Sequence, residues 1–456
     1  MPFCKALLTI LVLATGLAKP LALDRPNVIY ILADDLGYGD LSHAGGKVPT
    51  PHCDRLAREG MRFTDSHTTS SVCTPTRYGI VTGRYNWRTH LKSGVLWGLS
   101  EPLIPEDRLT VAKFLQQNHY HTAVVGKWHL GLGWQMLPNG EKRQAKTGPT
   151  KGDGWQIDYG KKVDGGPLAI GFDESFIIPA SLDMYPYVYL KNDKPTEWAT
   201  VTKAFHRPGP SGEKFEAIDC LRDFAREANR YIDARAKANG KPFFLYLPFT
   251  IPHANNEGTR GTGDGQDVPD YGIYAEKKWT NPNKGQAAMI TRMDADIGRL
   301  MARLNQYKLT ENTLVVFSSD NGHHREGGND PDFFDANGPL RGMKRDLYEG
   351  GIRVSTIAHW PGHIKPDSAS DHPAYFGDLM ATAAELLGVT APGKLDSISI
   401  LPTLLGQTDK QLKREFLYWE FLERRGAQAV VLGETGRWKA LRKQSATAPI
   451  EIYDLE

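Results

Sequence analysis

Short apolar runs that close on polar residues alternate along this chain with helical patterns. Asn27–Ala33, Thr122–Gly126, Phe243–Leu247 and Thr313–Ser318 read as strands. Asp54–Glu59, Leu109–Asn118, Phe215–Ala238 and Ala287–Tyr307 read as helices. In the last of these, Ile290, Met293, Ile297, Leu300, Met301 and Leu304 recur at the spacing that builds one apolar face. Strand–helix alternation predicts the α/β class, with a large, mostly parallel sheet sandwiched by helices. Ligands of such open sheets gather beyond the carboxyl ends of the strands. Asp34-Asp35, Lys127-Trp128-His129, His253 and Asp320-Asn321 each stand just past an end of this kind. Their common placement predicts one shared site.

Two stretches rich in glycine, 133–170 and 254–286, predict long loops of the sort that wall a pocket. After Leu404 the pattern changes to the short segments Glu415–Phe421, Ala427–Gly433 and Arg437–Arg442. These predict a small C-terminal antiparallel subdomain with its own helix. The chain thus divides into a leader over 1–18, a catalytic body over 25–404 and the subdomain over 405–456. Lys5 ahead of the apolar Ala6–Leu13 and the small residues Gly16-Leu17-Ala18 read as an export signal. Its apolar core falls short of the ~20 residues a spanning helix needs. The mature chain is therefore expected outside the cytoplasm, periplasmic or secreted, and free of the membrane. The lack of an N-x-S/T sequon points to a bacterial setting.

Composition removes whole classes of partner. Lysine and arginine number 55 against 53 acidic residues, a net charge of +2. That balance gives no reason to expect nucleic acid or an anionic membrane surface. Attraction for an anion must come from a local pocket. Cys53, Cys73 and Cys220 follow the leader, an odd and low count that argues against a disulfide framework, with a Cys53–Cys220 bridge left open. Asp34, Asp35, Asp320 and Asn321 offer only oxygen ligands. Such a set fits a hard divalent cation, and Ca²⁺ accepts ~6–8 oxygens in loose geometry. No cysteine–histidine cluster has zinc-like spacing.

Cys73-Thr74-Pro75-Thr76-Arg77 followed by Gly83-Arg84 completes the pattern. With Asp34-Asp35 upstream, Lys127-Trp128-His129 and Pro252-His253 between, and Ser318-Ser319-Asp320-Asn321-Gly322 downstream, the chain resembles the formylglycine-dependent sulfatases of the alkaline phosphatase superfamily. The likeness runs from about Arg25 to the chain end, where relatives normally continue into a last helix. It implies an alkaline phosphatase-like fold and oxidation of Cys73 to formylglycine (3-oxoalanine) by a formylglycine-generating or anaerobic sulfatase-maturating enzyme. One hydroxyl of the hydrated aldehyde attacks sulfur and the other later expels sulfate. A calcium ion is implied on Asp34, Asp35, Asp320 and Asn321, with residue 73 as a further ligand. Arg77 is placed by the likeness on the formylglycine and metal-site oxygens. The separation of Lys127 and His129 by one residue puts both on one face of an extended backbone. By the likeness Lys127 contacts sulfate and His129 holds a formylglycine hydroxyl. His253 and Lys344 are assigned to the leaving-group side, and Ser181 in Pro179-Ala180-Ser181-Leu182-Asp183 to sulfate contact.

Some positions depart from the family pattern. Thr76 replaces the commoner serine, Met343 and Arg345 replace glycines, and Ala254 follows His253 where proline is usual. His323, His324 and Arg325 after the metal pair suit either sugar binding or a solvated loop. Trp87, Trp97, Trp134 and Trp155 suit either ring stacking or packing. The substrate class implied is a sulfated small molecule or glycan. Two other readings share the residues: a phosphomonoesterase or phosphonate hydrolase, and an inactive sulfated-glycan-binding protein. The intact C-x-P-x-R motif and the single oxygen-ligand site favour sulfate, and none of the pocket residues is lost.

Overall fold

Every residue of the strand Asn27–Ala33 is buried, and alternate side chains feed two cores. Val28, Tyr30 and Leu32 enter one core with the helices Cys73–Thr82, Val111–Gln117 and Asp378–Leu386. Ile29, Ile31 and Ala33 enter the other with Pro51–Glu59, Cys220–Lys237 and Asn281–Gln306. A period of two in a strand with no polar residue inside dictates this two-sided burial. The computed structural model describes residues 25–147, 153–203, 207–238, 240–255, 262–423, 427–433, 436–445 and 447–456. The residues 1–18 expected to form a leader, Cys4 among them, lie outside these.

The main sheet has 10 strands. Its centre is parallel and runs Thr313–Ser319, Asn27–Ala33, Phe243–Pro248, His121–Lys127, Glu174–Ile178. Its flanks are not: Thr356–His359 and Leu190–Lys191 pair antiparallel with their inner neighbours. The sheet is therefore mixed: its five central strands run parallel, and at one edge Ser368–Ser370 pairs parallel with Met61–Phe63. Register does the work for the site. Ala33 pairs with Ser319, and the amide of Asp320 donates to the Ala33 carbonyl at 3.0 Å. Asp34 and Asp320 consequently leave the sheet side by side.

The expected helices are present with shifted starts. The longest runs Asn281–Gln306 and begins inside the stretch read as loop. Thr280 caps it by accepting from the Asn283 amide, and Pro282 sits in its first turn. The C-terminal sheet orders Phe416–Phe421, Ala427–Leu432, Trp438–Lys443 and Ile450–Asp454 as an antiparallel meander. Among the described residues beyond Leu404 no α-helix accompanies this sheet, and the 3-10 turn Thr408–Lys410 lies ahead of it. Cys53, Cys73 and Cys220 are free and buried, so no Cys53–Cys220 bridge forms. Among the described residues no helix is long and apolar enough to cross a membrane.

Candidate active site

Cys73 is the first residue of the helix Cys73–Thr82, all of which is buried. Arg77 follows four residues on, so both side chains share one helix face. The guanidinium Nη2 lies 2.8 Å from Asp320 Oδ2 and 3.5 Å from Asp34 Oδ2. Its Nη1 donates to the Lys127 carbonyl at 2.8 Å. Thr76, the departure from serine, keeps the hydroxyl's use by donating to the Ser70 carbonyl at 2.9 Å.

Opposite charges interleave around Cys73. Its Sγ lies 3.7 Å from Asp34 Oδ1, whose Oδ2 accepts from Lys127 Nζ at 2.6 Å. Lys344 Nζ donates to Asp35 Oδ2 at 2.7 Å, and Asn321 Nδ2 donates to Asp35 Oδ1 at 2.6 Å. Asp34, Asp35, Arg77, Lys127, Asp320 and Asn321 are wholly buried. Against the upward push of burial, Lys127, His253 and Arg77 hold Asp34 well below the usual carboxylate range. Lys344 and then His253 do the same for Asp35. Asp320 goes the other way: burial, and after it the charge of Asp34, push it up to about 7.

That crowding bears on a metal. Ligand atoms of Asp34, Asp35, Cys73 and His253 lie within 4.8 Å of one another. Asp320 is tied to the same cluster, since its Oδ1 accepts from the Asp35 amide at 3.2 Å. Asn321 Oδ1 is buried with no hydrogen-bond partner among the described residues. A hard cation relieves the carboxylate repulsion and gives the amide oxygen a partner, so the donor set fits one.

The two histidines present opposite nitrogens. His129 Nε2 lies 2.7 Å from the Leu96 carbonyl, which can only accept. The proton therefore sits on Nε2, and Nδ1 keeps a bare lone pair with no partner among the described residues. Burial, then Lys127 and Arg77, hold His129 well below the ordinary imidazole range, so it stays neutral. In His253 the bond runs from Nδ1 to the Ala254 carbonyl at 2.6 Å. Its Nε2 faces Lys344 Nζ at 3.3 Å, Ser181 Oγ at 3.4 Å and Asp35 Oδ2 at 3.7 Å. Burial and Lys344 lower its proton affinity. The one-face placement of Lys127 and His129 has a different cause from the one expected. The strand stops at Lys127, and His129 takes a left-handed φ of 57°, so a turn, not an extended run, brings its ring inward. Asp35, with φ 67°, is bent the same way, a concentration of backbone strain common at functional sites.

All the predicted site residues meet here, Ser181 through His253. His324 also joins, its Nε2 donating to the Pro252 carbonyl at 3.2 Å, whereas Arg325 turns outward to Asp332. One participant escaped the sequence reading. Glu326 Oε2 accepts from Lys344 Nζ at 3.2 Å, and its Oε1 pairs closely with Arg345. Arg345 holds φ 76°, the conformation that favours glycine, at a position where glycine was expected. An acidic residue five past Asn321 was the available signal.

A family model described as Sulfatase matches residues 26–389, and one described as N-sulphoglucosamine sulphohydrolase, C-terminal, matches 342–456. The chain is 33% identical to an N-acetylgalactosamine-6-O-sulfatase of Bacteroides thetaiotaomicron, covering 93% of this chain and 84% of that protein. It is 32% identical to human arylsulfatase A, covering 94% and 77%. A solved structure from work on glycosaminoglycan metabolism by Bacteroides thetaiotaomicron superposes with a TM-score of 0.75 at 29% identity, covering 94% of this chain and 93% of that one. Ps i-CgsB in complex with k-i-k-neocarrahexaose gives 0.71 at 25% identity, covering 94% and 86%.

Proposed function

The chain belongs to the sulfatase family and is a sulfuric ester hydrolase, and from that premise we propose that it cleaves an aryl or carbohydrate sulfate monoester with a formylglycine made from Cys73. The observation that carries this reading is Cys73 at a buried helix start, 3.7 Å from Asp34 and ringed by Arg77, Lys127 and Lys344. Burial pushes the Cys73 thiol above its ordinary range, against the pull of Lys127. Formylglycine supplies instead a hydrated aldehyde with two hydroxyls. Because Cys73 is 2% exposed, its maturation enzyme has to act before this helix closes. Asp34, Asp35, Asp320 and Asn321 would hold a calcium ion, which would supply neutralising charge for the sulfate oxygens.

The chain's own residues divide the rest. Lys127 and Lys344, both protonated because carboxylates outweigh the cost of their burial, bind the sulfate oxygens. Arg77 fixes Asp34 and Asp320 in place. The bare Nδ1 of His129 takes a proton from a hydroxyl on residue 73. Lys344, with His253 once an anion lies beside it, gives a proton to the departing oxygen. Similarity to an N-acetylgalactosamine-6-O-sulfatase supports a sulfated carbohydrate as the substrate class. The leader supports a periplasmic or secreted site of action.

Peptide mass spectrometry across residues 63–84 of active enzyme is expected to find the thiol replaced by an aldehyde or its hydrate. Full activity with an intact Cys73 thiol overturns the nucleophile. Elemental analysis is expected to give one calcium per chain, and Asp34→Ala to remove both the ion and sulfate hydrolysis.

A further inference from the structure

Of the four tryptophans picked out in the sequence, Trp97 is exposed, with 52% of its surface open, while Trp155 is buried and Trp87 and Trp134 are half-buried. Its neighbours fix it at the site. The Leu96 amide donates to Thr74 Oγ1, on the residue after Cys73, at 3.2 Å. The Leu96 carbonyl accepts from His129 at 2.7 Å. The guanidinium of Arg207 lies 4.6 Å over the Trp97 ring. Its Nη1 donates to Asp183 Oδ2 at 2.7 Å and to the Asp183 carbonyl at 3.1 Å. Two residues before Asp183, Ser181 Oγ lies 3.4 Å from His253 Nε2. Trp97, Arg207 and Asp183 thus form a chain from the His129 side of the site to the His253 side.

Packing alone does not account for these three. The Trp97 indole leaves about half of its surface open to solvent, available to a ring that stacks on it. Asp183 is 1% exposed, yet its Oδ1 has no hydrogen-bond partner among the described residues. Buried acceptors are ordinarily satisfied, so Asp183 Oδ1, joined to the open Trp97 ring through Arg207 and to the His253 side through Ser181, can take a further donor. A pyranose matches this triad: its C–H face suits an indole, and its rim of hydroxyls suits a carboxylate and a guanidinium.

We propose that Trp97, Asp183 and Arg207 form a subsite for the sugar ring of a sulfated monosaccharide unit, with Trp97 under its C–H face and Asp183 Oδ1 accepting from a ring hydroxyl. The assignment rests on the sulfatase reading and names the leaving group's chemistry. The subsite lies outside the anion pocket, so it separates ligands that share sulfate but differ in the ring.

Calcium-loaded Cys73→Ala protein binds ligand without turnover, and calorimetry measures it against inorganic sulfate and the 4- and 6-sulfates of galactose and N-acetylgalactosamine. At least one sugar sulfate is expected to bind more tightly than inorganic sulfate. Adding Trp97→Ala or Asp183→Asn is expected to weaken that sugar sulfate roughly tenfold or more, leaving inorganic sulfate within about twofold. Trp97→Phe, which keeps an aromatic face, is expected to retain most of the preference. The subsite is overturned if no sugar sulfate outbinds inorganic sulfate, or if the alanine and asparagine variants weaken both probes equally, the mark of a structural role. Failure of inorganic sulfate itself to bind overturns the sulfatase pocket first and the subsite with it.

Discussion

His129 and His253 are both buried imidazoles, yet the backbone carbonyl each one meets leaves a different nitrogen free, and that decides what each can do. His129, neutral with a bare Nδ1, is a proton acceptor, whereas His253 shares its Nε2 with Lys344 and Asp35. Departure of a sugar alkoxide needs a proton, but a nitrophenolate leaves with little help. Alanine at His253 or Lys344 is therefore expected to slow sugar sulfate hydrolysis by ~10²–10⁴-fold and aryl sulfate hydrolysis markedly less. His129→Ala is expected to slow both alike. Steady-state kinetics on one substrate of each type decides it, and equal losses in all three variants would sink this division of roles. Lys127 and His129 were legible in sequence because they stand just past a strand end, and Cys73 and Arg77 because the C-x-P-x-R spacing ties them to one helix. The Leu96 carbonyl was not, since any residue supplies one, and Glu326 was not, since its reach to Lys344 depends on a loop's path.

Whole elements bring these side chains together, and their close approach depends on the absence of a Cβ. The Asp320-Asn321 turn passes so near the short helix Glu349–Ile352 that a Cβ on Gly322 would stand 1.8 Å from the Gly350 carbonyl oxygen. Gly322 also donates its amide to the Gly351 carbonyl at 3.1 Å. Backbone on both sides cannot swing away as a side chain would. Gly322→Ala is expected to cost ~1–3 kcal/mol of stability and, by displacing Asp320 and Asn321, to lower calcium affinity at least tenfold. Chemical denaturation and calcium titration of the same protein check the two effects, and unchanged affinity would show that the turn tolerates the shift. Four of the five central strands were legible as apolar runs because both their faces are buried, whereas Glu174–Ile178, which opens on two polar residues, was not. Their antiparallel neighbours were not, being short and half polar at the margin of the sheet. Helix starts drifted for a similar reason: Thr280 and Pro282 are cap signals that lie outside the apolar stripe.

At the scale of the molecule, the C-terminal sheet braces the site from behind. Its inward residues Leu417, Trp419, Phe421, Ala429, Val431 and Leu441 pack on Val72, Leu347, Tyr348 and Ile352, which flank Cys73 and follow Lys344. The alternation that makes this face was legible, but not what it covers, because contacts across hundreds of residues leave no local pattern. A buried ionic link fastens the joint: Lys439, 1% exposed, donates to Glu349 Oε1 at 2.6 Å, while His67 holds Oε2 at 3.0 Å. The two partners are not equally served. Burial draws Lys439 below the ordinary lysine range, yet against burial Lys439 and His67 hold Glu349 well below the carboxylate range. Because the lysine stays charged throughout that range, of the two partners it is the carboxylate that decides the acid behaviour. Its folded-state affinity for protons is depressed, so its stabilisation is complete above the unfolded carboxyl value of about 4.3 and is lost as pH falls through the folded value. Lys439→Met keeps the volume but strands Glu349, at an expected cost of ~3–5 kcal/mol near pH 7. Other carboxylates titrate in both proteins and cancel in the difference. Denaturant unfolding of wild type and variant is therefore expected to give a gap that is full at pH 7 and shrinks below about pH 4. A gap independent of pH would mean that lost packing, not the ion pair, secures the sheet against the catalytic body.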